Sequence, residues 1–325
     1  MTPRASVVVP TFNRPDLLDR CLQALVCQEI GPGCFEVIVV DDAASESTCR
    51  QVECWTRPAH QRGIVVRYVP TRGKCGPAAA RNAGWHVARG EIIAFTDDDC
   101  IPQPGWLAAG LSVFTDGVAA VDGRLVMPLP AQPTDYEKNA AGLEVAEFVT
   151  ANCFYRRDIL EAVGGFDERF RAAWREDSDL FFRVLDLGQR IGYSPGAIVV
   201  HPVRPGGWGV SISQQRKSVY NALLYRKHPV RYRERVQASP PWRYYRIIAA
   251  LATALGAGML GQKRTALAAA AAWVVMTGGF CAERLDGTSR APAHIAEMLV
   301  TSAVIPPLAV YWRIRGAIRY RVLFL

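Results

Sequence analysis

Short runs of β-branched residues that end in polar or acidic side chains alternate with segments of helical period over residues 5–200. "ASVVVP" (5–10) gives way to "RPDLLDRCLQALVCQ" (14–28), where Leu17, Leu18, Cys21, Leu22 and Leu25 make one apolar face. "FEVIVVDD" (35–42) follows, then a polar helical stretch, then "IVVRYV" (64–69). "GPAAARNAGWHVARG" (76–90) reads as a helix opened by Pro77 and closed by Gly90, and "EIIAFTDDD" (91–99) as the next strand. Around 117–155 the pattern loosens into a strand and a proline-bearing loop. It then resumes with "FVTANCFYRRDILEAVGGF", the helix "REDSDLFFRVLDLG" (175–188) and the strand "QRIGYSPGAIVVHPV". Alternation of this kind, with uniformly apolar strands, predicts an α/β fold: a largely parallel sheet covered by helices on both faces. Ligands of such sheets gather beyond the carboxyl ends of the strands. Thr11, Asp41, Asp42 and the cluster Asp97, Asp98 and Asp99 all fall there.

Charge divides the chain. Residues 202–325 carry 18 Lys and Arg against 4 Asp and Glu, a net of +14, while residues 1–201 carry 20 against 26, a net of −6. An acidic domain joined to a basic tail points to phosphates or an anionic membrane surface as the tail's neighbour; no nucleic-acid partner is expected. The expected boundaries are 1–230 for the α/β domain and 231–325 for the tail. Nine cysteines, odd in number and without a CxxC pair, argue against a disulfide framework or zinc cluster and for a reducing cytosol. Only Val7, Val8 and Val9 make an apolar run before Pro10, too short for a signal peptide's core.

Beyond residue 240 three apolar stretches appear: Ile247–Leu260, Thr265–Ala282, and Met298–Trp312, which Pro306 and Pro307 are expected to break. The first two give roughly 21 and 27 Å of helix against a hydrocarbon core of about 30 Å. Arg231, Arg233, Arg235, Arg243 and Arg246 precede the first stretch, and Arg313, Arg315, Arg319 and Arg321 follow the third. This pattern predicts attachment to the cytoplasmic face of the cell membrane. Shallow insertion of residues 247–282 is preferred, because a two-span hairpin would export Lys263 and Arg264.

The crowded carboxylates Asp97–Asp99 repel one another unless something positive neutralises them. At a strand end, alternation would send Asp97 and Asp99 to one side of the sheet, suited to Mg²⁺ or Mn²⁺ with open positions for phosphate oxygens. Five motifs stand in order: "VVPTFNR" (8–14), "VVDDA" (39–43), "GPAAARNAG" (76–84), "FTDDDC" (95–100) and "GGFDERFRAAWREDSDLFFRVLDLG" (164–188). Each alone also reads as an ordinary turn, helix cap or packing segment. Together, over about residues 5–205, they resemble the family 2 glycosyltransferases, which have the GT-A (Rossmann-like nucleotide-diphospho-sugar transferase) fold.

The resemblance implies a UDP-, GDP- or dTDP-sugar donor, a divalent cation, and inversion at the anomeric carbon. It implies that Pro10, Thr11, Asn13 and Arg14 line the nucleotide pocket and that Asp41 or Asp42 bonds the base edge. Arg81 and Asn82 would help hold the nucleotide sugar. Asp97 and Asp99 stand at the family's DxD positions with Asp98 between them, Asp99 being the direct metal ligand. Asp177 matches the general base, with Glu176 its neighbour, and His201 matches a histidine that completes the metal site. The membrane-like tail adds a carbohydrate or lipid-linked acceptor, of the kind used in assembling cell-envelope polysaccharide.

Two alternatives remain open: a catalytically inactive nucleotide-sugar binding module, and a metal-dependent nucleotidyl- or phosphotransferase. The second would not need the distal "EDSDL" helix. The chain departs from processive members at their Q-x-x-R-W motif, where "SQQRKSVY" has Lys217 after Arg216 and no tryptophan. A single transfer is therefore expected. Trp208, in "RPGGWGVS", is equally a stacking or lid residue for the acceptor or a packed loop residue.

Overall fold

The computed structural model describes residues 2–324. The chain divides into two compact units: residues 1–128 with 142–203, and residues 129–141 with 204–325. Residues 204–230 thus cluster with the C-terminal helices.

The first unit holds β1 (Ala5–Thr11), α1 (Pro15–Val26), β2 (Phe35–Asp41), α2 (Glu46–Gln61), β3 (Val65–Pro70), α3 (Pro77–Val87), β4 (Ile92–Phe95), β5 (Ile101–Pro102), α4 (Trp106–Ser112) and β6 (Val118–Val126). The second unit contributes the short α5 (Asp135–Ala140) before the chain returns with β7 (Cys153–Arg156), α6 (Arg157–Val163), α7 (Glu176–Asp186) and β8 (Arg190–Val200). One eight-stranded sheet runs β3-β2-β1-β4-β7-β6-β8-β5. The β3-β2-β1-β4 half is parallel throughout and β6-β8 is parallel, but β7 runs antiparallel to both β4 and β6, and β5 antiparallel to β8. The sheet is therefore mixed, and its parallel half is the one whose βαβ alternation the sequence displays.

Burial explains the strands. Val7, Val8 and Val9 of β1 and Val37–Val40 of β2 are fully buried, each such side chain contributing about 1.5–3 kcal/mol. The helices cover them closely: a Cβ on Gly84 of α3 would come within 2.4 Å of Val8 and 2.9 Å of Val40. Pro15 and Pro77 open their helices at the first turn, where a missing N–H costs nothing. Ser45 caps α2 by accepting from the Thr48 N–H at 3.3 Å. α6 ends at Gly164 and Gly165, whose φ values of +74° and +66° lie in the left-handed region.

The second unit continues with α8 (Val210–Gln214), α9 (Val219–Lys227), α10 (Pro229–Arg235), α11 (Trp242–Met259), α12 (Lys263–Leu285) and α13 (Pro292–Arg319). α12 and α13 are long and apolar enough to cross a membrane. α13 runs straight through Pro306 and Pro307, so the expected break does not occur. Helices surrounded by other helices tolerate internal proline when neighbouring groups satisfy the freed carbonyls. The unit is also polar inside: Arg284, buried near the end of α12, donates to Asp135 at 2.7 Å, Thr301 at 2.6 Å, Ser302 at 3.1 Å and Ser211 at 3.3 Å.

Candidate active site

The carboxyl ends of the paired strands β1 and β4 meet at the acidic cluster. β4 ends at Phe95, so the strand alternation expected to run through Asp99 stops short. Residues 97–100 form a turn closed by the Cys100 N–H donating to the Asp97 carbonyl at 3.1 Å. The turn gives each carboxylate its own partner. Asp98 faces β1, accepting from the Thr11 hydroxyl at 2.7 Å and from Arg14 Nη1 at 3.0 Å. Asp97 accepts from Arg81 Nη2 at 2.7 Å. Asp99 lies 3.5 Å from His201 Nε2 and 4.0 Å from Arg14. His201 arrives through sheet register: β5 pairs antiparallel with β8, Ile101 opposite Val200, which sets His201 beside Cys100.

Arg81 is the structural pivot. Fully buried on α3, it reaches Asp97 with one nitrogen and Glu176 Oε1 with the other, at 3.1 Å. A planar guanidinium suits two carboxylates at once. The bridge ties the strand-end turn to the first residue of α7, where the backbone of Arg175 is held at φ +76°. Strain of this kind, costing about 1–3 kcal/mol, clusters at functional sites. Asp177 follows, half-buried, with Oδ1 accepting from the Ser178 N–H at 2.6 Å and hydroxyl at 3.2 Å.

The electrostatics follow from crowding. Burial pushes the Asp98 carboxyl up to about 6, against the pull of Arg14 and Thr11 and with the push of Asp99 and Asp97. Burial, then the neighbouring Asp177, raises Glu176 to about 7 despite Arg81. Burial would also raise Asp97, yet Arg81, with His201 and Arg14 behind it, holds that carboxyl below its usual range. Asp97 is thus held down while Asp98 and Glu176 are pushed up, the pattern expected of crowded like charges.

Two family models match: "Glycosyl transferase family 2" over residues 6–164 and "Glycosyl transferase family group 2" over residues 134–314. The chain belongs to the family 2 glycosyltransferases. It is similar to the glycosyltransferase AglE of Haloferax volcanii, 28% identical over 215 residues that make up 63% of this chain and 69% of AglE. The pre-mycofactocin glycosyltransferase of Mycobacterium tuberculosis is 31% identical over 215 residues, 61% of this chain but only 43% of that protein. The fold is shared with a mannosyltransferase of Pyrobaculum calidifontis, solved in complex with GDP-Man and Mn2+. The TM-score is 0.59 at 23% identity, covering 94% of this chain and 88% of that one.

The site of this glycosyltransferase fits a hard divalent cation. Asp99, Cys100 and His201 bring ligand atoms within 4.8 Å of one another. Two atoms bound side by side at about 2.1 Å from one octahedral ion sit about 3 Å apart, close to the 3.5 Å between Asp99 and His201 Nε2. The other ring nitrogen of His201, Nδ1, is buried without a hydrogen-bond partner. Cys100 fits less well. Burial, then Asp97 and Asp99, raises its thiol well above the usual value, and a neutral sulfur is a poor ligand for Mg²⁺ or Mn²⁺.

Other expected residues are engaged with the chain itself. Asp41 accepts from the Ala43 and Ser45 N–H groups at 2.9 and 2.7 Å and from the Tyr68 hydroxyl at 2.9 Å. Asp42 holds the 71–76 loop through the Cys75 and Gly76 N–H groups at 2.8 and 2.9 Å. Asn82 joins α3 to the turn after α6: it donates to the Phe166 carbonyl and to Glu168 and accepts from the Phe166 N–H and Trp85 Nε1, each at 2.9 Å. Pro10 lies at the end of β1, and Asn13 is exposed in a left-handed conformation, φ +53°. Trp208 belongs to the second unit and is 60% exposed. Sequence reasoning missed the double role of Arg81, and also Asn152, whose side-chain amide donates to the Arg124 and Ala197 carbonyls. The motif "ARN" signalled a site, but nothing local to it reveals a partner 95 residues away.

Proposed function

We propose that this chain transfers a single sugar from a nucleotide-diphosphate donor to an acceptor hydroxyl, with inversion, at the cytoplasmic face of a membrane. The observation that carries the reading is the Arg81 bridge between Asp97 and Glu176, which ties the strand-end carboxylates to the start of α7. Asp99 and His201 would hold Mg²⁺ or Mn²⁺; the ion supplies charge to offset the diphosphate as it leaves. Thr11, Asn13 and Arg14 would face the nucleotide beside Asp98. Asp41 and Asp42, saturated by their own chain, would shape the base pocket through the 71–76 loop, and Asn82 would fix α3.

Asp177 takes the proton from the acceptor hydroxyl as the oxygen attacks the anomeric carbon. The new C–O bond forms on the face opposite the breaking C–O bond, and the nucleoside diphosphate departs with that electron pair. The proton stays on Asp177 until solvent accepts it. The apolar helices α12 and α13, in a unit of net positive charge, support membrane association and hence a lipid-linked or membrane-proximal acceptor. The reading is tested by incubating purified chain with UDP-, GDP- and dTDP-sugars, with and without Mn²⁺. Metal-dependent release of nucleoside diphosphate supports it, and absence of release from every donor refutes it.

A further inference from the structure

A cavity of about 180 Å³ lies in the first unit, lined by Asp122, Leu125, Glu144, Val145, Glu147 and Tyr193 among others. It is smaller than the pockets of roughly 300–1,000 Å³ that enclose drug-sized ligands, a size suited to one sugar ring. Three local features shape it. β6 and β8 lose register between Gly123 and Arg124, so that Gly123 faces Ser194 but Arg124 faces Ile198. The amide of Asn152, buried at the cavity wall, fills that irregularity by donating to the Arg124 and Ala197 carbonyls at 2.9 and 2.8 Å while accepting from Trp106 Nε1 at 2.7 Å. Phe148, a non-glycine residue at φ +50°, folds the 143–149 segment over the opening and donates its N–H to Asp122 at 3.2 Å. Bulges and strained residues of this kind re-aim side chains at functional sites.

The cavity sits on the base side of the site. Phe148 stacks on Phe181 of α7, ring centroids 4.2 Å apart and 11° from parallel. Phe181 follows Asp177 by four residues, so the two share a helix face. Across the sheet, Asp122 pairs with Cys153 and Cys153 with Phe95, two residues before Asp97. Tyr193, beside Asp122 in register, is 58% exposed and offers a ring face at the rim.

We infer that this cavity is the subsite for the acceptor's terminal sugar, an uncharged pyranose whose hydroxyls donate to its carboxylates and whose C–H face lies on Tyr193. The assignment rests on the transferase reading above. Carboxylates accept hydroxyl hydrogens, and an aromatic face supplies the apolar half of the contact. Among the described lining residues there is no lysine or arginine, so a uronic acid or phosphorylated sugar meets repulsion there.

The test uses full-length chain in lipid nanodiscs, which avoids sugar-headed detergents, and saturation-transfer NMR. The probes are the methyl pyranosides of glucose, galactose, mannose and N-acetylglucosamine, with methyl glucuronoside as the charged control. At least one neutral probe should bind, the glucuronoside should not, and Tyr193→Ala should weaken binding about tenfold. Val145→Trp, at an exposed rim position that tolerates substitution, should do the same by crowding the mouth. The assignment is overturned if no neutral probe binds, if both variants bind as the wild type does, or if the glucuronoside binds equally. Metal-dependent consumption of a nucleotide sugar by the wild-type chain tests the transferase reading separately.

Discussion

The two units of this chain invert one another. In the sheet unit the strands are the driest part of the molecule: Val7, Val8, Val9, Ile93, Ala94 and Phe95 are all fully buried, and the charged groups collect at the strand ends. In the helical unit small apolar clusters around Ile247, Phe280, Ile305 and Met298 are buried, but many large apolar side chains face outward. Met259 is 84% exposed, Leu260 75% and Leu267 74%, while Arg284, Thr301 and Ser302 are buried. Water rewards the first arrangement and penalises the second, and contiguous exposed apolar surface is a mark of an interaction face. On the proposed reading the sheet unit places charge against a ligand, and the helical unit places hydrocarbon against something other than water. On the proposed reading that something is the bilayer, and the units should then fail independently when altered.

The largest expected effect is in the sheet unit. Asp99→Asn removes a charged ligand from the proposed metal site; a loss of several kcal/mol of charge stabilisation, at about 1.4 kcal/mol per decade, lowers turnover about 10⁴-fold. Mn²⁺-dependent nucleotide binding should weaken with it, and vesicle binding should not change. A fully active variant would remove Asp99 from the metal site.

Asp177→Asn should lower sugar transfer about 10²–10⁴-fold, the usual worth of a positioned base, with donor and metal affinity nearly intact in calorimetry. Near-normal transfer would move the base role to Glu176, and a retained anomeric configuration in the product would overturn single displacement.

The third effect belongs to the helical unit. Leu260→Asp combined with Leu267→Asp adds charge to exposed apolar positions of the α11–α12 hairpin. On the proposed reading, with these residues lying at the bilayer surface, partition onto anionic vesicles should fall about tenfold, far less than the full cost of a charge at the bilayer centre. Nucleotide-sugar hydrolysis in solution should hold. Unchanged partition would mean that these faces meet protein, and the contrast between the units would lose its explanation.

The smallest effect is a pH slope. Burial pushes Asp122 up to about 7 in the folded chain, against about 3.9 in an unfolded one. The folded state therefore keeps a proton that the unfolded state gives up between about pH 4 and 7. The stability from this carboxyl is complete below about pH 4 and is lost as pH rises through about 7. Partial exposure discounts the effect to about 1 kcal/mol, a change of about 2–4 °C in the Tm difference between wild type and Asp122→Asn. A difference that stays flat from pH 4.5 to 8 would show that the cavity is wetter than its burial indicates.

Local pattern was enough to encode most elements of the sheet unit and the polar groups at their ends. The β-branched runs became β1 to β4, the apolar stripe of residues 14–28 became α1, and the "EDSDL" pattern became α7. Those features repeat within a turn or a pleat, so neighbours along the chain suffice to encode them. The tertiary structure decided the rest. It ended β4 at Phe95, turned β7 against the sheet, and carried α13 through two prolines. It set His201 beside Asp99 through the pairing of β5 with β8, and spanned Asp97 and Glu176 with one guanidinium. It also committed Asp41, Asp42 and Asn82 to their own backbone, where the motifs alone suggested a ligand. Each of these outcomes depends on which buried polar group finds which partner across distant strands and helices. A buried donor or acceptor must be satisfied wherever the fold brings a partner within reach, and that distance is written in the register of the sheet rather than in the spacing of the chain.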